Sequence, residues 1–374
     1  MKNNINKKIF ICATEQSGDN IGEKILEKLI NKNPLLIIDG VGGAKMKPFM
    51  QNQFYSLKDF KSMGIIEILF SIKKYLKIIN SLSKYIARHK YDLIITIDSP
   101  DFNYPLSKKI KKNQQDANII HFVAPTVWAW RPNRAKKFAK IYNEIFTLFF
   151  FENKFFEKYN LKSTCIGHPI YYIKNNSSVV KAKNNVAFLP GSRMGEIKSL
   201  FIYYQLAYEQ LMRINSKLKI FIPTLPHLRE EIIERTKKWK IDTIIVIDDK
   251  QMENYFLKTK IALVCSGTAS LEIAKRGIPQ LVIYKLNYFT ELIARFFIRI
   301  KFANILNILE NKMIIPEITN SNLKKNIFIK QFNNLLIDEK SNIQQIVKVN
   351  KAISKIELLK PPFEIAVEGI NKFL

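Results

Sequence analysis

Two short stretches of this chain hold residue types suited to gripping a diphosphate. One is Ser266-Gly267-Thr268-Ala269-Ser270-Leu271-Glu272, set between the apolar segments Ile261–Cys265 and Pro279–Tyr284. Small residues let backbone N–H groups at the start of a helix come close to an anion, and the helix dipole adds about half a positive charge there. Glu272, one turn further in, is spaced to accept hydrogen bonds from ribose hydroxyls; an acid that only complements the dipole would occupy the same place. The other stretch is Pro190-Gly191-Ser192-Arg193, after the apolar run Asn185–Leu189 and before a helix that opens at Gly195-Glu196-Ile197 and passes Leu211. Gly191 gives the turn a backbone freedom other residues lack. The Arg193 guanidinium can hold phosphate oxygens in a fork. Two anion-ready turns in one half of the chain favour a phosphate role over a merely solvated arginine.

The first half offers acids instead. Glu15, Asp19, Asp98 and Asp101 all fall at the ends of predicted strands, where one could take a proton from an attacking hydroxyl. Asp98 is the preferred base: it ends the apolar run Tyr91–Ile97 directly, and Ser99-Pro100 fixes the loop behind it. Capping a turn is an equally good use for an Asp before Ser-Pro, and the residues alone leave both open. Glu15 suits a binding or orienting part. His168, in Gly167-His168-Pro169, reads as a structural turn. Histidines and acids have no metal-ligand spacing, and Cys12, Cys165 and Cys265 lie far apart, so neither a metal nor a disulfide framework is expected, and no cofactor.

These residues need a scaffold that carries them to one edge. Ile9–Ala13 predicts a strand, Thr14–Asp19 a loop and Asn20–Leu29 a helix with Ile21, Ile25, Leu26 and Leu29 on one face. Strands are also expected at Leu35–Asp39, ahead of a glycine turn Gly40-Val41-Gly42-Gly43, and at Asn118–Val123 and Glu144–Phe150. Alternating strand and helix makes an α/β fold with doubly wound parallel sheets, which bind ligands at the carboxyl ends of their strands. The polar stretch Lys174–Lys183 reads as a linker. The expected division is 1–175, 176–345 and a C-terminal pair of helices, 346–374, with two Rossmann-like domains facing a cleft. That plan suits a two-domain nucleotide-sugar transferase.

Composition bounds the class. A chain of 374 residues, 47% hydrophobic and 25% charged, is globular and long enough for two cores. Its net charge of +28 comes mostly from lysine, since only ten of the sixty basic residues are arginine. Lysine is spread along the chain with no nucleic-acid motif, so no nucleic-acid partner is expected. Attraction to an anionic membrane surface fits the same charge. Residues 1–8 are too polar for a signal peptide and no apolar run is long enough to span a bilayer, so the expected location is the cytoplasm. Gly64–Lys77 places Ile65, Ile68, Leu69, Ile72, Leu76 and Ile79 on one stripe, widened by Ile66 and flanked by Lys73, Lys74 and Lys77. That pattern reads as an interfacial helix, with an ordinary core-facing helix as the alternative. Phe289–Phe302 is a second candidate.

The segments ATEQSGD, GVGGAKM, MGIIEIL, IDSPDFN, APTVWAWRPNRAKK, GHP, LPGSRMGEI, SGTASLE and NILENKMIIPE occur here in order along essentially the whole chain. In this the chain resembles the lipid-A-disaccharide synthase family. It departs at Thr14, where the family usually has Gly, and at Ala124, where it usually has Ser. The resemblance implies a GT-B glycosyltransferase that couples UDP-2,3-diacylglucosamine to 2,3-diacylglucosamine 1-phosphate (lipid X), giving a β-1,6-linked disaccharide and UDP with inversion. It strengthens Asp98 as the base and implies UDP contacts from Gly191, Ser192, Arg193, Ser266 to Ser270, Glu272 and Asn307. Ser17, Gly18, Asp19, Trp128, Trp130 and Arg131 are expected on the acceptor and lipid side. It further implies peripheral association with the inner membrane and a final segment, 361–374, that either crosses back to the chain's own N-terminal domain or is exchanged between subunits of a homodimer. A GT-B transferase or epimerase for another UDP-amino-sugar, and a non-enzymatic basic membrane- or RNA-associated protein, are the competing classes.

Overall fold

A computed structural model describes residues 6–60, 65–175, 183–265, 267–285 and 301–374, for 65–71 and 321 through the backbone alone. The chain divides into two compact units, residues up to Tyr171 with Leu358–Leu374, and Tyr172–Glu357. The helix Glu339–Ser354 therefore stays with the second unit, and the return to the first begins at Leu358 and not near 346.

The first unit is built on β1 (Lys8–Ala13), β2 (Ile37–Gly42), β3 (Asn52–Ser56), β4 (Leu93–Ile97), β5 (Ile119–Phe122), β6 (Glu144–Thr147) and β7 (Lys162–Cys165). They form one parallel sheet in the order β3-β2-β1-β4-β5-β6-β7. Runs such as Ile9–Ala13 and Leu93–Ile97 have no exposed residue because helices cover both faces of the sheet. The winding reverses between β1 and β4, which pair with Ala13 opposite Ile97. The loops after these two strands start side by side, and those are the loops of Glu15 and Asp98.

The second unit repeats the plan with β8 (Asn185–Leu189), β9 (Lys219–Pro223), β10 (Thr243–Val246), β11 (Thr259–Cys265), β12 (Gln280–Tyr284) and β13 (Glu317–Thr319), ordered β10-β9-β8-β11-β12-β13. Its reversal lies between β8 and β11, so the turn at Gly191–Arg193 and the helix starting after Gly267 share one edge.

Several elements differ from expectation. The first helix runs Gln16–Lys32, so Ser17, Gly18 and Asp19 lie in its first turn and not in a loop. Gly40-Val41-Gly42 belongs to β2 instead of forming a turn; a side chain at Gly40 would overlap the Ile11 carbonyl oxygen of β1. β6 stops at Thr147 because the Glu152 carboxylate takes the N–H groups of Leu148 and Phe149, turning the chain into a short 3-10 segment and the helix Asn153–Glu157. The final helix, Pro362–Ile370, seats Phe363, Ala366, Val367 and Ile370 in a core shared with Phe122, Phe146 and Ile166. Phe363, Val367 and Ile370 each contribute about 1.5–3 kcal/mol on burial.

Candidate active site

At the first switch point, Asp98 closes β4 with φ 54° and Ser99 follows with φ 45°. Two consecutive side-chain-bearing residues in the left-handed region cost about 1–2 kcal/mol each. β5 ends similarly, on Val123 at φ 67°, a β-branched residue for which this conformation is rare. Strain of this kind collects at functional edges. The Asp98 carboxylate accepts from Ser17 Oγ at 2.7 Å through Oδ2 and from the Ser99 N–H at 2.8 Å through Oδ1. Ser99 Oγ donates to Glu15 Oε1 at 3.2 Å. Glu15 and Ser17 are exposed and Asp98 is half-buried, so two carboxylates and two hydroxyls stand together within reach of solvent. A carboxylate so oriented can accept a proton from a sugar hydroxyl.

The neighbouring candidates are placed differently. Asp19 is 1% exposed, and its carboxylate accepts from the N–H groups of Gly43 (2.6 Å), Met46 (3.2 Å) and Lys45 (3.2 Å). It anchors the loop after β2 and does not face an acceptor. Gly18 allows the helix to approach the strands, since a Cβ there would lie 3.1 Å from the Ala13 Cβ. Asp101 is ion-paired with Arg134 and lies 3.9 Å from Arg131. The Arg131 guanidinium lies 5.2 Å from the Trp130 ring centroid. Trp128 donates its indole N–H to Glu152 Oε1 at 3.1 Å, a partner with no signal in the residue pattern. His168 accepts from the Ile170 N–H at 3.1 Å and stacks on Phe149, and burial lowers its pKa to about 4. That is the structural turn expected of it.

In the second unit the turn after β8 already holds an anion of its own. Glu196 Oε2 accepts from the N–H groups of Ser192 (3.0 Å) and Arg193 (3.2 Å), and Oε1 lies 3.6 Å from the Arg193 guanidinium. A Cβ at Gly191, whose φ is 112°, would come within 2.5 Å of that carboxylate. The glycine thus makes room for Glu196, and the N–H of Ser192, a residue expected to contact UDP, goes to that carboxylate. Arg193 itself keeps 73% of its side chain exposed.

The helix Thr268–Lys275 starts after Gly267, whose φ is 135° and whose Cβ position meets nothing within 4 Å. Thr268 is exposed and Ala269 half-buried, leaving the positive end of the helix approachable. Glu272, with 44% of its side chain exposed, lies 4.0 Å from Arg276; desolvation raises its pKa against the pull of that arginine. Ser266 lies outside the described residues. Ser270 and Asn307 turn inward. Ser270 Oγ donates to Gln280 at 2.8 Å and accepts from Asn304 at 2.6 Å. Asn307, fully buried, accepts from the N–H groups of Ile314 and Ile315 and donates to the Ile315 carbonyl and Glu317. Its amide folds the Glu310–Glu317 segment and is not free for a nucleotide.

The apolar helix runs Ile65–His89. The side chains of Ile65, Ile66, Ile68 and Leu69 lie outside the described set, as does most of Phe289–Phe302. Ile72 and Leu76 are 49% and 53% exposed, whereas Ile79 is 5% exposed and faces the core, so the stripe does not continue to it. Among the described residues no helix is long and apolar enough to cross a membrane, and no group of three or more His, Cys, Asp or Glu side chains could hold a metal ion.

Two parallel doubly wound units, one presenting carboxylates and the other an arginine beside an open helix start, give the GT-B architecture. Solved structures agree: MurG of Acinetobacter baumannii superposes with a TM-score of 0.60 at 12% identity, covering 98% of this chain and 99% of that one. A UDP-GlcNAc 2-epimerase from Neisseria meningitidis, bound to UDP-GlcNAc, gives 0.61 at 14% identity, covering 98% and 100%. Residues 9–361 match the lipid-A-disaccharide synthetase family. The lipid-A-disaccharide synthase of Rickettsia bellii is 32% identical over 360 residues, 94% of each chain. The chain belongs to the lipid-A-disaccharide synthetase family and is a glycosyltransferase.

Proposed function

We propose that this chain joins UDP-2,3-diacylglucosamine to 2,3-diacylglucosamine 1-phosphate by a single inverting displacement. The Asp98 carboxylate takes the proton of the acceptor 6-hydroxyl while that oxygen attacks the anomeric carbon; the bond from that carbon to the diphosphate breaks, and UDP leaves. The observation that carries this reading is the strained Asp98–Ser99 turn, which holds the carboxylate on Ser17 Oγ and the Ser99 N–H. Ser17 and the Ser99 N–H keep it oriented, and Glu15 fixes Ser99. On the nucleotide side, Arg193 and the helix start at Gly267–Ala269 receive the departing diphosphate, and Glu272 takes the ribose. Trp128, Trp130 and Arg131 line the acceptor side.

Acylated substrates live in a bilayer. The exposed Ile72 and Leu76, beside Lys73, Lys74 and Lys77, give the helix Ile65–His89 an apolar edge with basic flanks, which suits docking on the anionic inner-membrane surface. Exchange of residues 361–374 between two copies would build a homodimer from contacts the chain already makes with itself.

The test is incubation of purified protein with both acylated sugars, followed by measurement of UDP release and disaccharide. Asp98→Asn is expected to lower kcat about a hundredfold or more while UDP affinity by calorimetry stays unchanged. A variant with near wild-type kcat would end the assignment of Asp98. Turnover that ignores the acyl chains would point to a different UDP-amino-sugar.

A further inference from the structure

Asn103 closes the segment that carries Asp98, as the fourth residue of the helix Pro100–Asn113. It is fully buried. Three consecutive carbonyl groups converge on it: Nδ2 donates to Ile97 O at 3.1 Å and to Asp98 O at 2.8 Å, and its main-chain N–H donates to Ser99 O at 3.0 Å. Those are the carbonyls of the turn whose two residues sit in the left-handed region. On the other side of the turn the Asp98 N–H still donates to Phe122 O of β5 at 2.9 Å. Asp98 is therefore held on its amide side by the sheet and on its carbonyl side by Asn103. Rotation about either backbone bond breaks one of the two.

Ordinary helix capping does not explain the arrangement. Ser99 is the N-cap residue, yet its side chain makes no cap bond and its hydroxyl goes to Glu15. The usual direction is reversed: a side chain inside the helix satisfies carbonyls of the preceding strand and turn. An amide one methylene from the backbone supplies two hydrogens at that reach, whereas aspartate would set acceptors against acceptors and leucine would bring none. Glycine at 98 and 99 would relieve the strain, but it would also delete the carboxylate and the hydroxyl. We infer that Asn103 is a positioning residue for Asp98, holding the φ from which the carboxylate reaches Ser17 and the Ser99 N–H. The inference rests on the reading of Asp98 as the base.

The experiment is a double-mutant cycle in the full-length protein, with Asp98→Asn, Asn103→Leu and the two combined, assayed with both acylated sugars. Asn103→Leu is expected to lower kcat about tenfold or more, with KM for either sugar and UDP affinity within about twofold of wild type. The double variant is expected to be no slower than Asp98→Asn alone, because Asn103 acts through that carboxylate. Asn103→Leu with wild-type kcat overturns the inference, and so does a double loss equal to the product of the single losses. A wild-type kcat in Asp98→Asn is a different failure, that of the base itself. Should Asn103→Leu not fold by circular dichroism, Asn103→Ser replaces it: one hydroxyl hydrogen can serve at most one carbonyl, so a kcat below wild type with unchanged KM is expected, and wild-type kcat overturns the inference.

Discussion

Glu152 is a carboxylate that is only 4% exposed, yet three N–H donors converge on it: Trp128 at 3.1 Å, and the main-chain groups of Leu148 and Phe149, each at 3.1 Å. Desolvation outweighs them and raises its pKa from 4.5 to about 7. Between those values the folded protein keeps a proton that the unfolded chain has lost. The group's stabilising effect is thus fully present below about pH 4.5 and is lost as pH rises through 7. Glu152→Gln removes the titration. Compared by urea unfolding, the stability gap between wild type and this variant is expected to shift in the variant's favour by about 1–3 kcal/mol from pH 5 to pH 8. A gap that does not move with pH would mean the carboxyl titrates as in water. Nothing in the sequence announced this residue. It lies in an aromatic run, and its partner Trp128 follows a different strand, so only the pairing of β5 with β6 brings them together. That Asp98, Glu15 and Ser17 come to one sheet edge was legible because strand ends can be read from apolar runs. Asp19, Ser270 and Asn307 were misread because a sequence does not say whether a polar side chain at such an edge points outward or into the fold.

Elements were legible where burial is continuous and illegible where glycine enters. Gly40 and Gly42 suggested a turn, yet they lie in β2, paired with β1 through Gly40 opposite Ile11. A methyl at Gly40 would strike the Ile11 carbonyl oxygen, and a backbone atom cannot swing aside as a side-chain tip can. Gly40→Ala is expected to cost about 1–3 kcal/mol or more in chemical denaturation. Gly195→Ala is the matched control. It lies in the first turn of the helix Met194–Ile214, where a Cβ meets nothing within 4 Å, so alanine is expected to add about 0.5–1 kcal/mol through helix propensity. Equal effects at the two positions would show that β1 and β2 leave room for a methyl group at Gly40. The first helix was predicted four residues late for a related reason: Ser17-Gly18-Asp19 has turn chemistry, but Gly18 serves close packing and Asp19 reaches the Gly43–Met46 loop. The apolar helix after Gly64 also showed only its periodicity; which of its faces is covered depends on neighbours such as Phe60 and Phe102, which pack on Tyr75.

At the scale of the molecule the chain leaves its first unit at Tyr171 and returns at Leu358, so the first core is completed by residues 358–374. The seam of that return is Gly369. A Cβ there would sit 2.5 Å from Phe146 Cε1 and 2.7 Å from Cζ, on a ring stacked against Phe122 at 4.3 Å. Gly369→Leu must therefore displace either the final helix or the Phe122–Phe146 pair. A loss of about 1–3 kcal/mol from the first unit is expected, seen as an earlier melting transition, with UDP affinity retained because the second unit ends at Glu357 and includes no part of the final helix. Protein concentration separates the two origins of the helix. Supplied by its own chain, it gives a melting temperature independent of concentration; supplied by a second copy, it gives one that rises with concentration and a dimer mass by light scattering. If Gly369→Leu melts like the wild type at every concentration, Pro362–Ile370 does not seat on Phe146, and neither route of return operates.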